Sequence, residues 1–469
     1  MTSYHVVGIG GAGMSAVARL LLAEGEVSGS DDGRWPLAEA LRPLGATVYE
    51  SFDPAHVRGA EVVVRSSAYG QDNVEVKAAA EAGIPLWRRH EAWAHLAKGK
   101  LVVAIAGTHG KTTTTAMTWC AYRAGGVDAS LICGAPLRDI GANAHVGRSK
   151  PGPVEPGSGF HGDVLVIEAD EYDRTFLALR PLVGVVTNVE HDHVDQFPTL
   201  ADVQGAFAEF ESRVTGVLVA CADDPGAAAL AERRRERGKH GILLYGTSPA
   251  ADARITDVRE DGRLTRFTLA GISPAPLAVA IRVPGMHNVR NATAALCAVR
   301  ALGPEGNAMV AGVESFDGTS RRLEMVGEAA GVEVVDDYAH HPTEIRASLA
   351  AVRPRASRVI AIFQAHTPSR LSAFFDDFVA ALRGADAVVI ADTFRSARER
   401  SDEGAGARRL AAALGARFAA DAESAAREAA SLARPGDVVL VMGAGDIGAA
   451  APRILELLRA GVVSGGARS

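Results

Sequence analysis

VVAIAGTHGKTTTT, residues 102–115, joins an apolar run from Leu101 to Ala106 to a glycine-bearing loop, a Lys-Thr pair and a helical pattern ending at Gly125-Gly126. Strand, loop, Lys-Thr and helix in that order spell a phosphate cradle. Backbone N–H groups of the turn converge on phosphate oxygens, the helix N-terminus adds partial positive charge, and the lysine supplies a point charge. The full spacing G-x-x-x-x-G-K-[ST] asks for glycine at position 105, where the chain has Ile105; it offers Gly107 instead. On this reading Lys111 is a solvent-facing contact for the terminal phosphates, and the Thr112 hydroxyl is placed for Mg²⁺.

Outward from the cradle, strand and helix patterns alternate, which favours parallel sheets covered by helices. YHVVGIGGAGMSAVARLLLAEG opens one such unit, and AEVVVRSSA, residues 60–68, reads as a later strand of the same sheet. From ARITDV through RLTRFTLA to APLAVAIRV the pattern shifts to short alternating strands, an antiparallel ribbon that closes on the helix NVRNATAALCAVRALG. The alternation restarts after SFDGTSRRLE and runs to DVVLVMGAG, while SKPGPVEPGSGFHG reads as a Pro/Gly loop. The expected fold is α/β in three domains: a Rossmann-like domain over 1–99, a P-loop-type ATPase domain over 100–320 with a mainly parallel sheet plus the ribbon, and a Rossmann-like domain over 321–469.

With 469 residues and 48% hydrophobic content the chain can bury substantial cores. A formal net charge of −7 argues against nucleic acid as a partner, because such surfaces are usually basic. Cys120, Cys133, Cys221 and Cys297 lie far apart without metal-knot spacing and are expected to be buried, reduced thiols. The N-terminus lacks an export-signal pattern and no apolar stretch of about 18 residues occurs, so a cytoplasmic enzyme without membrane insertion is expected.

Two strands end in acids. DVLVIEADEYD, residues 163–173, breaks into Glu168, Asp170 and Glu171; PLVGVVTNVEHDHVD carries Asn188, Glu190, Asp192, His193 and Asp195. Carboxylates at strand ends beside a phosphate loop are where Mg²⁺ finds hard oxygen ligands. Near the N-terminus, Gly8, Gly10 and Gly13 have G-x-G-x-x-G spacing, with Asp31 about 20 residues on, a pattern that suits any pyrophosphate. Gly443, Gly445 and Gly448 repeat the spacing and read as a tight turn between strand and helix. His340 and His341 serve equally as helix caps or ligands.

In this order GIGGAGMSAVA, GSD, AGTHGKTTTTAM, EADEYDRTFL, TNVEHDHVD, GMHNVRNATAA, RRLE, DDYAHHPTEI, FQAHTPSR and GAGDIG resemble the motifs of the Mur ligases across essentially the whole chain. The shortened cradle is then the family's own ATP loop. The resemblance implies a three-domain enzyme of peptidoglycan precursor synthesis that binds UDP-N-acetylmuramate, ATP with Mg²⁺, and L-alanine, and forms an amide through an acyl phosphate. It places the UDP-sugar pyrophosphate at Gly10, Gly11, Ala12 and Gly13, with Asp31 and Ser67 nearby. It places ATP at Thr108, His109, Gly110, Lys111, Thr112 and Thr113, with Asn288 and Asn291 at the adenine. The metal falls to Thr112, Glu168 and His193; Arg322 and Asp337 approach the ATP phosphates and metal, and Tyr338, His340 and Arg370 serve the amino-acid side. The implied catalytic set is Lys111, Glu168, His193, Arg322, His340 and Arg370. Thr367 and Pro368 stand where other members show an arginine and an aromatic, leaving Arg370 to hold the alanine carboxylate alone. Wider relatives bridge metals with a carbamylated lysine, at or near Gln204 here.

Three readings compete, one of them a nucleotide-gated binding protein without ligase turnover, which phosphate release dependent on UDP-N-acetylmuramate and alanine would exclude. A sister ligase that attaches a recycled murein peptide to the same UDP-sugar shares EADEYD and DDYAHHPT, whereas FQAHTPSR and RTFLALRP lean to the alanine enzyme. An NAD-dependent oxidoreductase built on the first glycine loop leaves residues 107–112 and 168–193 without a role.

Overall fold

Runs such as Val62–Arg65, Val183–Val186 and Val438–Met442 are almost wholly apolar, as strands covered on both faces must be, and each lies inside a parallel sheet. The computed structural model describes residues 1–148, 163–261, 264–302, 307–394 and 405–461. The expected loop SKPGPVEPGSGFHG lies outside them.

Among the described residues the strands form three sheets. In the first, the order Thr47–Tyr49, Gly25–Ser30, Thr2–Val7, Val62–Arg65, Leu86–Arg88 is parallel throughout. In the second, of ten strands, the cradle strand Leu101–Ala106 lies between Val164–Glu168 and Val183–Val186, parallel to both. Their C-terminal ends therefore deliver the phosphate loop and both acidic clusters to one edge. The ribbon is antiparallel as expected, Ala253–Asp261 against Leu264–Ala270 and then Leu277–Ile281, and it extends the same sheet by pairing parallel with Ile242–Gly246. The third sheet pairs Glu324–Ala329 antiparallel with Val332–Asp337; its other four strands continue in parallel.

The cores divide unevenly. One continuous apolar cluster runs from Tyr4 and Val6 of the first sheet through Trp119 and Phe210 to Phe316, because the helix Ala12–Leu21 packs on the strands Ser130–Leu137 and Ala142–His145. The third sheet has separate clusters on its two faces, around Phe363 and Ile454. The first two sheets are thus welded by apolar burial, and the third meets them mainly through polar groups. All four cysteines are buried and free. No helix among the described residues is long and apolar enough to cross a membrane.

Candidate functional site

The phosphate loop is shaped by contacts that tolerate no side chain. Gly107 has φ +136°, and a Cβ there would lie 1.8 Å from Thr187 Oγ1; Gly110 has φ +82°, and a Cβ there would lie 2.5 Å from Asn291 Oδ1. The backbone N–H of His109 donates to Asn188 Oδ1 at 2.8 Å, and Thr187 Oγ1 donates to the His109 carbonyl at 2.6 Å. The helix Lys111–Ala124 begins directly behind, with Thr112 and Thr113 buried in its first turn.

Lys111 is not solvent-facing. Its Nζ donates to the carbonyls of Gly107 (2.7 Å) and Thr108 (3.0 Å) and pairs with Glu171, at 2.8 Å from Oε2. Burial works to lower its pKa, but Glu171, Asp170 and Glu168 hold it above its ordinary value. A cation with its side chain only 13% exposed, held among three carboxylates, is locked inside the loop it was expected to extend from.

The acids fall into two groups. Glu168, at the end of its strand, accepts from Thr112 Oγ1 at 3.1 Å and from the Gly134 N–H at 2.6 Å, and burial raises its pKa. His193 instead stands with Asp170 and Glu171, the three offering ligand atoms within 4.8 Å of one another. His193 adopts φ +51°, left-handed for a residue with a side chain, and its N–H donates to Asp192 Oδ1 at 2.7 Å. Sequence reading named Asp170 and Glu171 as acids but left them out of the metal set; alternate-residue spacing at a strand end did not reveal which would turn toward His193. Gln204 is exposed on the helix Leu200–Arg213 and is not among the residues that line either cavity.

Two cavities meet at the loop. One, of about 330 Å³, is lined by Gly110, Thr113, Tyr245, Asn288 and Asn291 among others. Asn291 Nδ2 donates to Asn288 Oδ1 (3.1 Å), and Asn288 Nδ2 to the Pro284 carbonyl (2.7 Å), which fixes both amides at its wall. Asp223 and Arg290, paired at 2.8 Å, share that wall and were not singled out from sequence. The other, of about 500 Å³, opens between the sheets and is lined by Arg89, Lys111, Glu168, His193, Tyr338, His340 and Arg370. Arg322 borders both.

The third domain enters through the segment Thr319–Leu323, where Arg321 and Leu323 both have left-handed backbone (φ +57° and +49°). Between them Arg322 is aimed at the loop, 3.4 Å from Thr112 Oγ1, with its guanidinium 4.9 Å from the Tyr338 ring centroid. Asp337 is buried beside Ser348, and burial pushes its carboxyl up to about 6. The two histidines separate: His341 caps the helix Pro342–Val352 in a capping box with Glu344, while His340 lines the larger cavity, where burial pushes its imidazole down to about 3. Glu344 went unremarked although H-P-T-E carries the capping-box spacing. Arg370 is 6% exposed and committed to Asp192: Nε at 2.8 Å and Nη2 at 2.7 Å meet the same Oδ1. Thr367 caps and Pro368 begins the short helix that presents it.

The N-terminal loop is less open than its spacing suggests. The Gly10 N–H is taken by Asp31 Oδ2 at 2.7 Å, Tyr69 Oη donates to Asp31 Oδ1 at 2.8 Å, and Trp35 covers Gly10. Gly11 caps the helix that Ala12 and Gly13 begin, Ser67 is exposed, and a Cβ at Gly13 would meet Arg89 Nη1 at 3.1 Å. Arg89, also missed, links this loop to the larger cavity through Asp170 (2.9 Å). The second glycine motif is structural: Arg321 donates to the carbonyls of Gly443 (2.6 Å) and Gly445 (2.9 Å).

The arrangement has relatives. The chain is 44% identical over 466 residues to the UDP-N-acetylmuramate–L-alanine ligase of Kineococcus radiotolerans, covering 97% of this chain and 96% of that one. It is 42% identical to the ligase of the same name from Chloroflexus aggregans, over 98% and 99% of the two chains. The crystal structure of the UDP-N-acetylmuramate-alanine ligase of Thermotoga maritima superposes with TM-score 0.80 at 25% identity, over 98% of this chain and 100% of that one. Residues 3–101 match the family description "Mur ligase family, catalytic domain", 105–299 "Mur ligase middle domain", and 321–445 "Mur ligase, glutamate ligase domain". From the cradle outward, the chain belongs to the Mur ligase family.

Proposed function

We infer that this protein is an ATP-dependent ligase that joins L-alanine to the lactyl carboxylate of UDP-N-acetylmuramate, with domains spanning about 1–99, 100–320 and 321–469. The observation that carries the reading is convergence: Lys111, Glu168, His193, Arg322 and Arg370, from two sheets and a hinge, line one cavity beside the phosphate loop. Near-full-length identity to ligases of that name favours alanine over a recycled peptide. It works as an enzyme of peptidoglycan precursor synthesis in the cytoplasm.

A carboxylate is a poor electrophile until one of its oxygens becomes part of a leaving group. A lactyl oxygen attacks the γ-phosphorus of ATP, the bond to the bridging oxygen breaks, and ADP departs. The alanine nitrogen then attacks the acyl carbon, phosphate leaves with the attacking oxygen, and the nitrogen loses a proton. Lys111 and Arg322 stand where negative charge develops, and fixed cations act there without reorganising. Asn288 and Asn291 present amides to adenine; the N–H groups that open the helix Lys111–Ala124 serve the phosphates, since those of Thr108 and His109 are taken by Asn188. Tyr338, His340 and Arg370 face the amine donor, and the Gly10–Gly13 loop with Asp31 and Ser67 serves the UDP-sugar.

Thr112, Glu168, Asp170 and Glu171 supply the hard oxygens that Mg²⁺ prefers, with His193 beside them, so the donor set fits that ion. When bound, Mg²⁺ would neutralise phosphate charge and polarise the transferring group. The reading is tested by labelling the lactyl carboxylate with heavy oxygen: label should appear in released phosphate, only when both UDP-N-acetylmuramate and an amino acid are present. Unlabelled phosphate, or release independent of the sugar nucleotide, would exclude the acyl-phosphate route.

A further inference from the structure

A second group of ligand-bearing side chains, sharing no residue with the acids around His193, sits where the third domain meets the phosphate loop. His109, Glu190 and His341 offer ligand atoms within 4.8 Å of one another. Glu190 Oε2 lies 3.3 Å from His109 Nε2 and 3.8 Å from His341 Nδ1. Two ligands about 2.1 Å from a tetrahedral Zn²⁺ stand about 3.4 Å apart, so these separations need little adjustment.

The surroundings are those of a prepared ligand set. His109 Nδ1 lies 3.2 Å from Glu344 Oε1, which leaves Nε2 facing Glu190. A carboxylate on one imidazole nitrogen orients the other toward a metal and raises its basicity. Glu344 is itself anchored, accepting from the His340 N–H at 2.9 Å. His341 is 5% exposed; its Nδ1 accepts the capping N–H of Thr343 at 3.3 Å, a bond that a metal on Nδ1 would replace, and its Nε2 has no protein partner. Two imidazoles and a carboxylate form a borderline-soft donor set that suits Zn²⁺ and its neighbours better than Mg²⁺.

We propose that His109, Glu190 and His341 bind a divalent transition metal of the Zn²⁺ class, with Glu344 as the positioning carboxylate, and that this ion clamps the third domain onto the phosphate loop. Two ligands come from the middle domain and one from the capped start of the helix Pro342–Val352, so occupancy and domain closure are linked. Because His109 also lines both cavities, a bound ion inhibits turnover by holding the nucleotide loop and the third domain in one arrangement.

The test is Zn²⁺ binding to the whole substrate-free protein in excess Mg²⁺, by metal analysis after gel filtration and by titration. The parent should retain about one equivalent; Glu190→Gln and His341→Asn should each weaken it at least tenfold, and His193→Asn should leave it unchanged. Asparagine is itself a good N-cap, so His341→Asn removes the ligand and keeps the helix start. Retention that survives either of the first two substitutions, or that is lost with His193→Asn, overturns the assignment, as does a parent that retains no zinc. Should a variant fail to fold, Co²⁺ in the unmodified protein decides: an intense tetrahedral visible band supports the site, and only a pale octahedral spectrum refutes it.

Discussion

Lys111 shows how one residue binds folding to chemistry. The side chain proposed to meet the terminal phosphates closes its own loop and neutralises Glu171, whose side chain is only 2% exposed. Lys111→Ala should therefore lower turnover by about 100-fold or more, the range of one electrostatic group. It should also destabilise the fold by about 3 kcal/mol, because it strands a buried carboxylate. Urea unfolding measures the second effect, and Lys111→Ala combined with Glu171→Gln should recover much of the stability without recovering turnover. At the proposed metal site, Glu168→Gln, Asp170→Asn and Glu171→Gln should each raise the Mg²⁺ needed for half-maximal rate, whereas Cys120→Ser should leave the Mg²⁺ curve where it is. The identity of the cradle was legible because its elements are contiguous. The fate of Lys111 was not, since its partner lies 60 residues away in the loop that follows another strand.

At the scale of elements, the helix Pro342–Val352 is spelled out in its own sequence, with His341 as cap, Pro342 at the first position and Glu344 closing the box. Its role as a latch is not, because Glu344 is shared with His109 across 235 positions of chain. Burial alone would lower the His109 pKa, but Glu344 and Glu190 outweigh it and raise it to about 9. A group whose pKa is raised on folding gives stability that is complete below its unfolded value near 6.5 and fades as pH rises through about 9. With both proteins stripped of metal by a chelator, the Tm difference between the parent and His109→Asn should accordingly be widest near pH 6 and close by about pH 9.5. A gap that stays constant over that range would show that His109 is held by packing rather than by charge. The same spatial logic explains the N-terminal loop: glycine spacing announced a turn, but Asp31 and Trp35 occupying its Gly10 face depend on residues more than 20 positions away.

For the molecule as a whole, the three alternating blocks were visible from periodicity, while their unequal attachment was not, because apolar patterning shows which face is buried and not against what. The first two sheets share one core and should move as a body. The third is held to them by Arg370 on Asp192, Glu344 on His109 and Arg322 near Thr112. Of these the first is the most buried, with side chains 7% and 5% exposed, and Arg370 holds the Asp192 carboxyl well below its ordinary range. Charge pairs of this kind, unlike apolar contacts, lose most when one partner is removed, since the other is left desolvated and unpaired. Asp192→Ala leaves Arg370 in that state, and swinging the third domain out to water on the segment Thr319–Leu323 relieves it. The substrate-free variant should show a larger radius of gyration than the parent in small-angle scattering, with the far-ultraviolet circular dichroism of both the same. Asp192→Glu, which keeps the charge, should stay closer to the parent. An unchanged radius for Asp192→Ala would mean that the remaining contacts suffice to hold the domains together, and that the Arg370–Asp192 pair orders its wall of the larger cavity without governing closure.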